Sequence, residues 1–185
     1  RNRPTIGIVG RLDPAKDHDT FFKAVNILEA LSPGIAQYIV VGWGSGAHAD
    51  AVINRIEELR KQGIAVVHVP HQGDMPPMYN ACNIFTMSSI SEGLPNALLE
   101  ALACGSFCVV TNVGDCAEVV AKDGVVVEIR DHVAIAKAWR MQLDSDEYDG
   151  AKQSQRVHAK YGLKPMVSAL SKILAQKKPS WKYLL

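Results

Sequence analysis

The sequence predicts a doubly wound α/β domain built on a parallel sheet of about six strands. Short β-branched runs alternate with helical patterns, as strands buried on both faces and joined by crossover helices require. Glycines, charged residues and helix-start signals collect just after the strand-like runs, where such sheets bind ligands. The 185 residues, 48% of them hydrophobic, suffice for one domain with a sizeable core and are too few for two ordinary ones.

The first strand is read at 4–9, around Thr5-Ile6-Gly7-Ile8-Val9, followed by a helix whose Phe22, Ala24, Val25, Ile27, Leu28 and Leu31 recur at helical spacing. A second strand at 37–41 leads into a helix from Ala47 to Lys61, with Ala51, Ile53, Ile56 and Leu59 on its apolar side. Strands follow at 64–69 and 83–87. Pro95 suits the first position of the next helix and Gly105 the left-handed cap at its end. Strands at 106–111 and 124–129 complete the sheet, and the pattern then turns purely helical at 132–143, 147–160 and 164–177. The chain starts at Arg1 rather than Met and enters a strand almost at once, so residues 1–185 read as one domain taken from a longer protein.

Composition narrows the function. Twenty Lys and Arg against nineteen Asp and Glu leave a net charge of +1, so no overall field favours nucleic acid and any anion site must be local. Cys82, Cys104, Cys108 and Cys116 lack a paired CxxC spacing, which argues against a zinc site or disulfide framework and for small buried thiols. The six histidines are scattered, read as surface or capping groups, and none pairs with Ser or Cys as a hydrolase nucleophile would require. No apolar run reaches about 18 residues and no signal-like N-terminus is present, so a soluble, cytoplasmic setting is expected.

Ser91 to Gly105 is the most informative segment. The free N–H groups of Asn96 and Ala97, with the helix dipole, make an anion site fit for a diphosphate. Carboxylates beside it would repel phosphate, so Glu92 in the entry loop and Glu100 on the second helical turn are better used on hydroxyls. Glu100 suits the two ribose hydroxyls and Glu92 those of a transferred sugar, with Gly93 letting backbone approach the ligand. A capped amphipathic helix with two solvated glutamates fits the same composition.

The two glutamates, separated by seven residues, resemble the donor domain of the group 1 glycosyltransferases, a retaining family with the GT-B fold. The resemblance extends to Gly10-Arg11-Leu12 with Lys16, to Val41-Gly42-Trp43-Gly44, to Cys104 through Thr111, and to Val113-Gly114-Asp115 with Glu118, covering roughly residues 4 to 175. It implies a Rossmann-like C-terminal half of a GT-B enzyme, with extra C-terminal helices and an acceptor-binding N-terminal domain outside this chain. It further implies a catalytic set of Arg11, Lys16 and Glu92, the two cations contacting the diphosphate and stabilising the leaving nucleotide. Donor-binding residues by the same resemblance are Gly10, Gly42, Gly44, His71, Gln72, Gly93, Leu94, Asn96, Ala97 and Glu100. His71 and Gln72 stand where the family clasps the base through backbone groups, with Pro70 replacing the usual glycine. For Gly42, Gly44 and Gly46 a simple turn into the next helix fits equally well, since the third fingerprint glycine of a dinucleotide fold is missing.

The expected ligand is a nucleotide diphosphate sugar, UDP-sugar favoured over GDP- and ADP-sugar, used in carbohydrate or polysaccharide biosynthesis without cofactor or metal. Asp144-Ser145-Asp146 spells a metal-binding DxD string but falls between two helices, where a polar loop is the better account. The basic and aromatic tail from Lys177 to Leu185 is expected to dock on the N-terminal domain, with contact to a membrane surface the less favoured alternative. Two rival readings remain: a sugar-nucleotide epimerase or hydrolase of the same architecture, and a non-catalytic nucleotide-binding module.

Overall fold

In a computed structural model, residues 3–70, 73–145 and 148–176 are described. Six parallel strands run β1 (Thr5–Val9), β2 (Gln37–Val41), β3 (Val66–Val69), β4 (Ile84–Met87), β5 (Phe107–Thr111) and β6 (Gly124–Val127). Their spatial order is β3-β2-β1-β4-β5-β6, the doubly wound arrangement that reverses direction between β1 and β4. The helices are α1 (His18–Leu31), α2 (Ala47–Lys61), α3 (Pro76–Asn80), α4 (Asn96–Ala103), α5 (Cys116–Val120), α6 (His132–Leu143), α7 (Gly150–Tyr161) and α8 (Leu163–Gln176).

Alternation along each strand divides the core into two layers. Ile6, Ile8, Tyr38, Val40, Ile84 and Val109 face α1, α2 and α6, while Val9, Val41, Phe85, Met87, Cys108 and Val110 face α3, α4, α5 and α7. Trp139 of α6 is fully buried in the first layer, and its indole N–H donates to Thr86 Oγ1 at 2.9 Å, which satisfies a polar group that would otherwise be costly there. Cys82, Cys108 and Cys116 are buried thiols, as expected, and Cys104 is half-buried. At the centre of β1, Gly7 has no room for a side chain, since a Cβ would stand 2.2 Å from Cys82 Sγ.

The strands and long helices lie close to where the sequence places them. Three local readings are corrected. Pro95 is the cap preceding α4, with an extended ψ of 102°, and Asn96 is the first helical residue; Gly105 does take the left-handed conformation, at φ 82°. The last strand stops at Val127, because the chain turns through Glu128–Asp131 and Asp131 caps α6 by accepting from Ala134 N–H. His18 is neither surface nor cap but fully buried at the start of α1. On α8, Leu163, Met166, Val167, Leu170, Ile173 and Leu174 remain exposed. The tail from Lys177 lies outside the described residues, and among those described no helix is long and apolar enough to cross a membrane.

Candidate functional site

Because strand order reverses between β1 and β4, the loops leaving their carboxyl ends part and open a crevice. The loops after β1 and β2 form one unit: Gly10 N–H donates to Val41 O and Leu12 N–H to Trp43 O, both at 2.9 Å. The glycines follow from that contact. A Cβ on Gly42, at φ 148°, would fall 1.8 Å from Gly10 O, and one on Gly44 would fall 2.6 Å from Leu12 O. Backbone packing between two loops therefore requires both, whatever the ligand.

The loop after β4 is tied to the same unit. Ser88 Oγ lies 2.9 Å from the carbonyls of Lys16 and Asp17, and Ile90 N–H donates to Ala15 O at 2.8 Å. Asp13 caps the short 3-10 turn Pro14–Lys16 by accepting from Ala15 N–H, and this turn carries Lys16 inward. Lys16 Nζ meets Glu92 Oε1 at 2.6 Å, and Ser89 Oγ donates to the same oxygen at 2.6 Å. From the other side, Asp115 N–H donates to Gly93 O, and a Cβ on Gly114 would fall 2.4 Å from that carbonyl. The backbone at Glu92–Gly93 is thus held between the loops after β1 and β5.

A cavity of about 370 Å³ lies between the paired loops and α4, bounded by Gly10, Arg11, Gly42, Trp43, Ala97 and Glu100. Two cavities of about 460 Å³ lie elsewhere, one around Thr5, Gln37 and Ile64 and one between α1 and α2. Size does not decide between them: the smaller cavity alone joins the carboxyl ends of β1 and β2 to a helix start. At that start the first two amides, of Asn96 and Ala97, have no i−4 carbonyl within α4 to bond, and no side chain caps the helix.

Of the residues singled out from the sequence, Gly10, Arg11, Gly42, Ala97 and Glu100 line the cavity together. Lys16 and Glu92 form their ion pair next to it, the aliphatic stem of Lys16 lying along Gly10. Arg11 is three-quarters exposed and reaches Asp13 at 2.9 Å, so its guanidinium is held by one weak surface pair. Gly44 sits under Leu12, while Gly93, Leu94 and Asn96 are exposed along the entry to α4. His71 and Gln72 lie outside the described residues, as does Asp146 of the DxD string; its Asp144 pairs with Arg140 at 2.8 Å. Among the described residues no group of three or more His, Cys, Asp or Glu is placed to hold a metal ion.

Sequence reasoning missed Tyr79. It projects from α3, only 2% exposed, and lines the cavity together with Glu100, whose carboxylate acts on its phenol. Burial first, and that carboxylate second, push the phenol well above its ordinary range, so it stays a donor at any working pH. The two prolines that open α3 made 70–76 read as loop, and nothing in the spacing linked Tyr79 to a glutamate one helix later. Ser89, in the loop after β4 and three residues from Glu92, was not singled out either. Behind the site, His18 is held neutral: burial first, then the nearby His48 ring, lower its pKa to about 4, and neither ring nitrogen has a partner among the described residues.

Comparison with known proteins adds an independent line. The family model described as "Glycosyl transferases group 1" matches residues 3–145. The chain is 30% identical over 136 residues to a D-inositol 3-phosphate glycosyltransferase of Salinispora arenicola, covering 70% of this chain and 28% of that protein. It is 28% identical over 134 residues to a UDP-Gal:alpha-D-GlcNAc-diphosphoundecaprenol alpha-1,3-galactosyltransferase of Escherichia coli, covering 71% of this chain and 34% of that one. Among solved structures, Anabaena Alr3699/HepE in complex with UDP and glucose superposes with a TM-score of 0.83 at 18% identity, over 95% of this chain and 49% of that chain. The C-terminal domain of a group 1 glycosyl transferase (LpcC) of Francisella tularensis superposes with a TM-score of 0.74 at 22% identity, over 85% of each chain. The chain therefore spans about a third or less of these two sequence relatives and about half of the UDP-bound neighbour.

Proposed function

The chain belongs to the group 1 glycosyl transferases, with the fold of a GT-B C-terminal domain, and on that premise we propose that it binds a nucleotide diphosphate sugar as the donor half of a retaining, metal-independent glycosyltransferase. The observation that carries this reading is the single cavity in which Arg11, the start of α4 and Glu100 converge. Uncapped amides and a guanidinium suit a diphosphate, and a carboxylate one helical turn further suits a ribose diol.

The Lys16–Glu92 pair fits the junction between phosphate and sugar. An ammonium has three N–H donors, so Lys16 can keep Glu92 and still reach a phosphate oxygen. The two described contacts of the Glu92 carboxylate are both to Oε1, which leaves its other oxygen for a sugar hydroxyl. As the glycosidic bond breaks, negative charge grows on the departing phosphate oxygen. Lys16, Arg11 and the helix start then interact more strongly with the leaving group than with the bound donor, which lowers the barrier.

UDP-sugar is the favoured donor. Acceptor choice and the sugar transferred depend on loop backbone geometry and on the N-terminal domain of the full-length protein, for which the uncovered apolar face of α8 offers a docking surface. A cytoplasmic enzyme of carbohydrate or polysaccharide biosynthesis is the matching setting. Calorimetric titration of this chain with UDP-, GDP- and ADP-sugars tests the reading and assigns the base together. Saturable binding that weakens on Arg11→Ala and Glu100→Ala is expected; absence of heat with all three donors overturns it. Product analysis of the full-length enzyme with donor and water alone separates transfer from epimerisation, since only an epimerase returns an altered sugar nucleotide.

A further inference from the structure

We propose that the indole of Trp43 is the platform on which the donor's nucleobase stacks, making Trp43 the residue that supplies affinity for a base without selecting among bases. This rests on the donor-site reading and adds to it a residue outside the phosphate and ribose contacts.

The two described tryptophans are treated oppositely. Trp139 is fully buried with its N–H satisfied, whereas Trp43 is 59% exposed beside the cavity mouth. A large aromatic surface left in water gains most from a flat apolar partner. Its main chain is also fixed in advance. Gly42 N–H donates to Val69 O at 2.9 Å, His68 Nε2 lies 2.9 Å from Gly42 O, and Trp43 O accepts from Leu12 N–H. The glycines on either side are pressed against the carbonyls of Gly10 and Leu12. Little backbone freedom remains to be lost when a ligand arrives, which is the condition for an efficient stacking surface.

The lining not taken up by the phosphate and ribose contacts suits a base. Arg11 and the amide end of α4 mark the diphosphate, and Glu100 marks the ribose. The lining also includes Val41, Gly42, Trp43 and Met75, and among the described residues its charged side chains are those of Arg11 and Glu100. A neutral, planar heteroaromatic group matches these uncharged residues, and stacking on a π-face is tolerant of base identity.

The test is titration of this 185-residue chain as wild type, Trp43→Ala and Trp43→Phe, with UDP, ADP and inorganic pyrophosphate. Stacking predicts that Trp43→Ala weakens UDP and ADP by roughly tenfold or more. Pyrophosphate affinity should be unchanged, and Trp43→Phe should recover most of the loss. Thermal melting of each variant, expected to match wild type because the side chain is exposed, excludes misfolding as the cause. Wild-type affinity for UDP in Trp43→Ala would overturn the platform and leave the donor-site reading intact. An equal loss for pyrophosphate, or a Phe variant as weak as the Ala variant, would also overturn it. Failure of the wild-type chain to bind either nucleotide would remove both readings.

Discussion

Lys16 Nζ and Glu92 Oε1 meet at 2.6 Å although 76 positions separate them in the chain. The contact is possible because β1 and β4 are adjacent and parallel, so both loops leave the sheet at the same end. Both side chains are mostly buried, which raises the strength of the pair above that of a surface contact. A cation expected on phosphate and an anion expected on sugar are therefore one unit before any donor arrives.

Glu92→Gln keeps the shape of that unit and removes its charge. UDP should bind as tightly as to wild type or tighter, because Lys16 is released, whereas the advantage of a UDP-sugar over UDP should fall by roughly tenfold. Parallel calorimetry with UDP and UDP-glucose checks this, and equal changes for both ligands would reduce Glu92 to a structural role.

Tyr79→Phe removes the hydroxyl beside Glu100 in the cavity lining and leaves the packing of α3 in place. Loss of its interaction with the carboxylate should cost about 1 kcal/mol of stability or less, read by urea unfolding. Nucleoside diphosphates should bind several-fold more weakly while pyrophosphate is unaffected, since only the ribose contact has been disturbed.

Gly42→Ala should destabilise the fold by more than about 2 kcal/mol, because φ 148° and the Gly10 carbonyl both oppose a Cβ. Gly46→Ala is the control. Its φ of 81° is also unfavourable, but a Cβ there meets nothing within 4 Å, so its cost should be the smaller of the two. Thermal and urea unfolding of the two variants give the comparison.

His18 makes stability depend on acid. Its pKa falls from 6.5 to about 4 on folding, so between those values the unfolded chain binds a proton that the folded chain refuses. The stabilisation is present in full above pH 6.5 and is lost as pH drops toward 4, below which both states are protonated. From pH 7.5 to 4.5 the loss is roughly 2–3 kcal/mol. Urea midpoints across this range should fall in wild type and fall less in His18→Phe.

The sheet was legible in the sequence because each strand is a short β-branched run between punctuating glycines and prolines, and six such runs leave little freedom of arrangement. The cavity was legible in part for the same reason: Gly10, Arg11 and Gly42 follow strands, and Ala97 and Glu100 lie in the first two turns of a helix. What escaped reading depends on contacts between distant segments. Tyr79 joins Glu100 in the cavity lining from a five-residue helix opened by two prolines, too short for any periodicity to show. Lys16 and Glu92 were each identified, yet only the register of β1 against β4 brings them together. His18 was misjudged because burial of a lone histidine is set by the helix packed above it, which no local pattern records.

The fit of Gly42 against the Gly10 carbonyl bears on how donor preference in this chain could be rebuilt. Segments 10–12 and 42–44 behave as a single cassette, so a graft that imports one from a relative and keeps the native other would meet a mismatch before any ligand is added. Exchanging both together preserves the seam, and leaves position 43 as the one site between those glycines where chemistry can be varied without disturbing it.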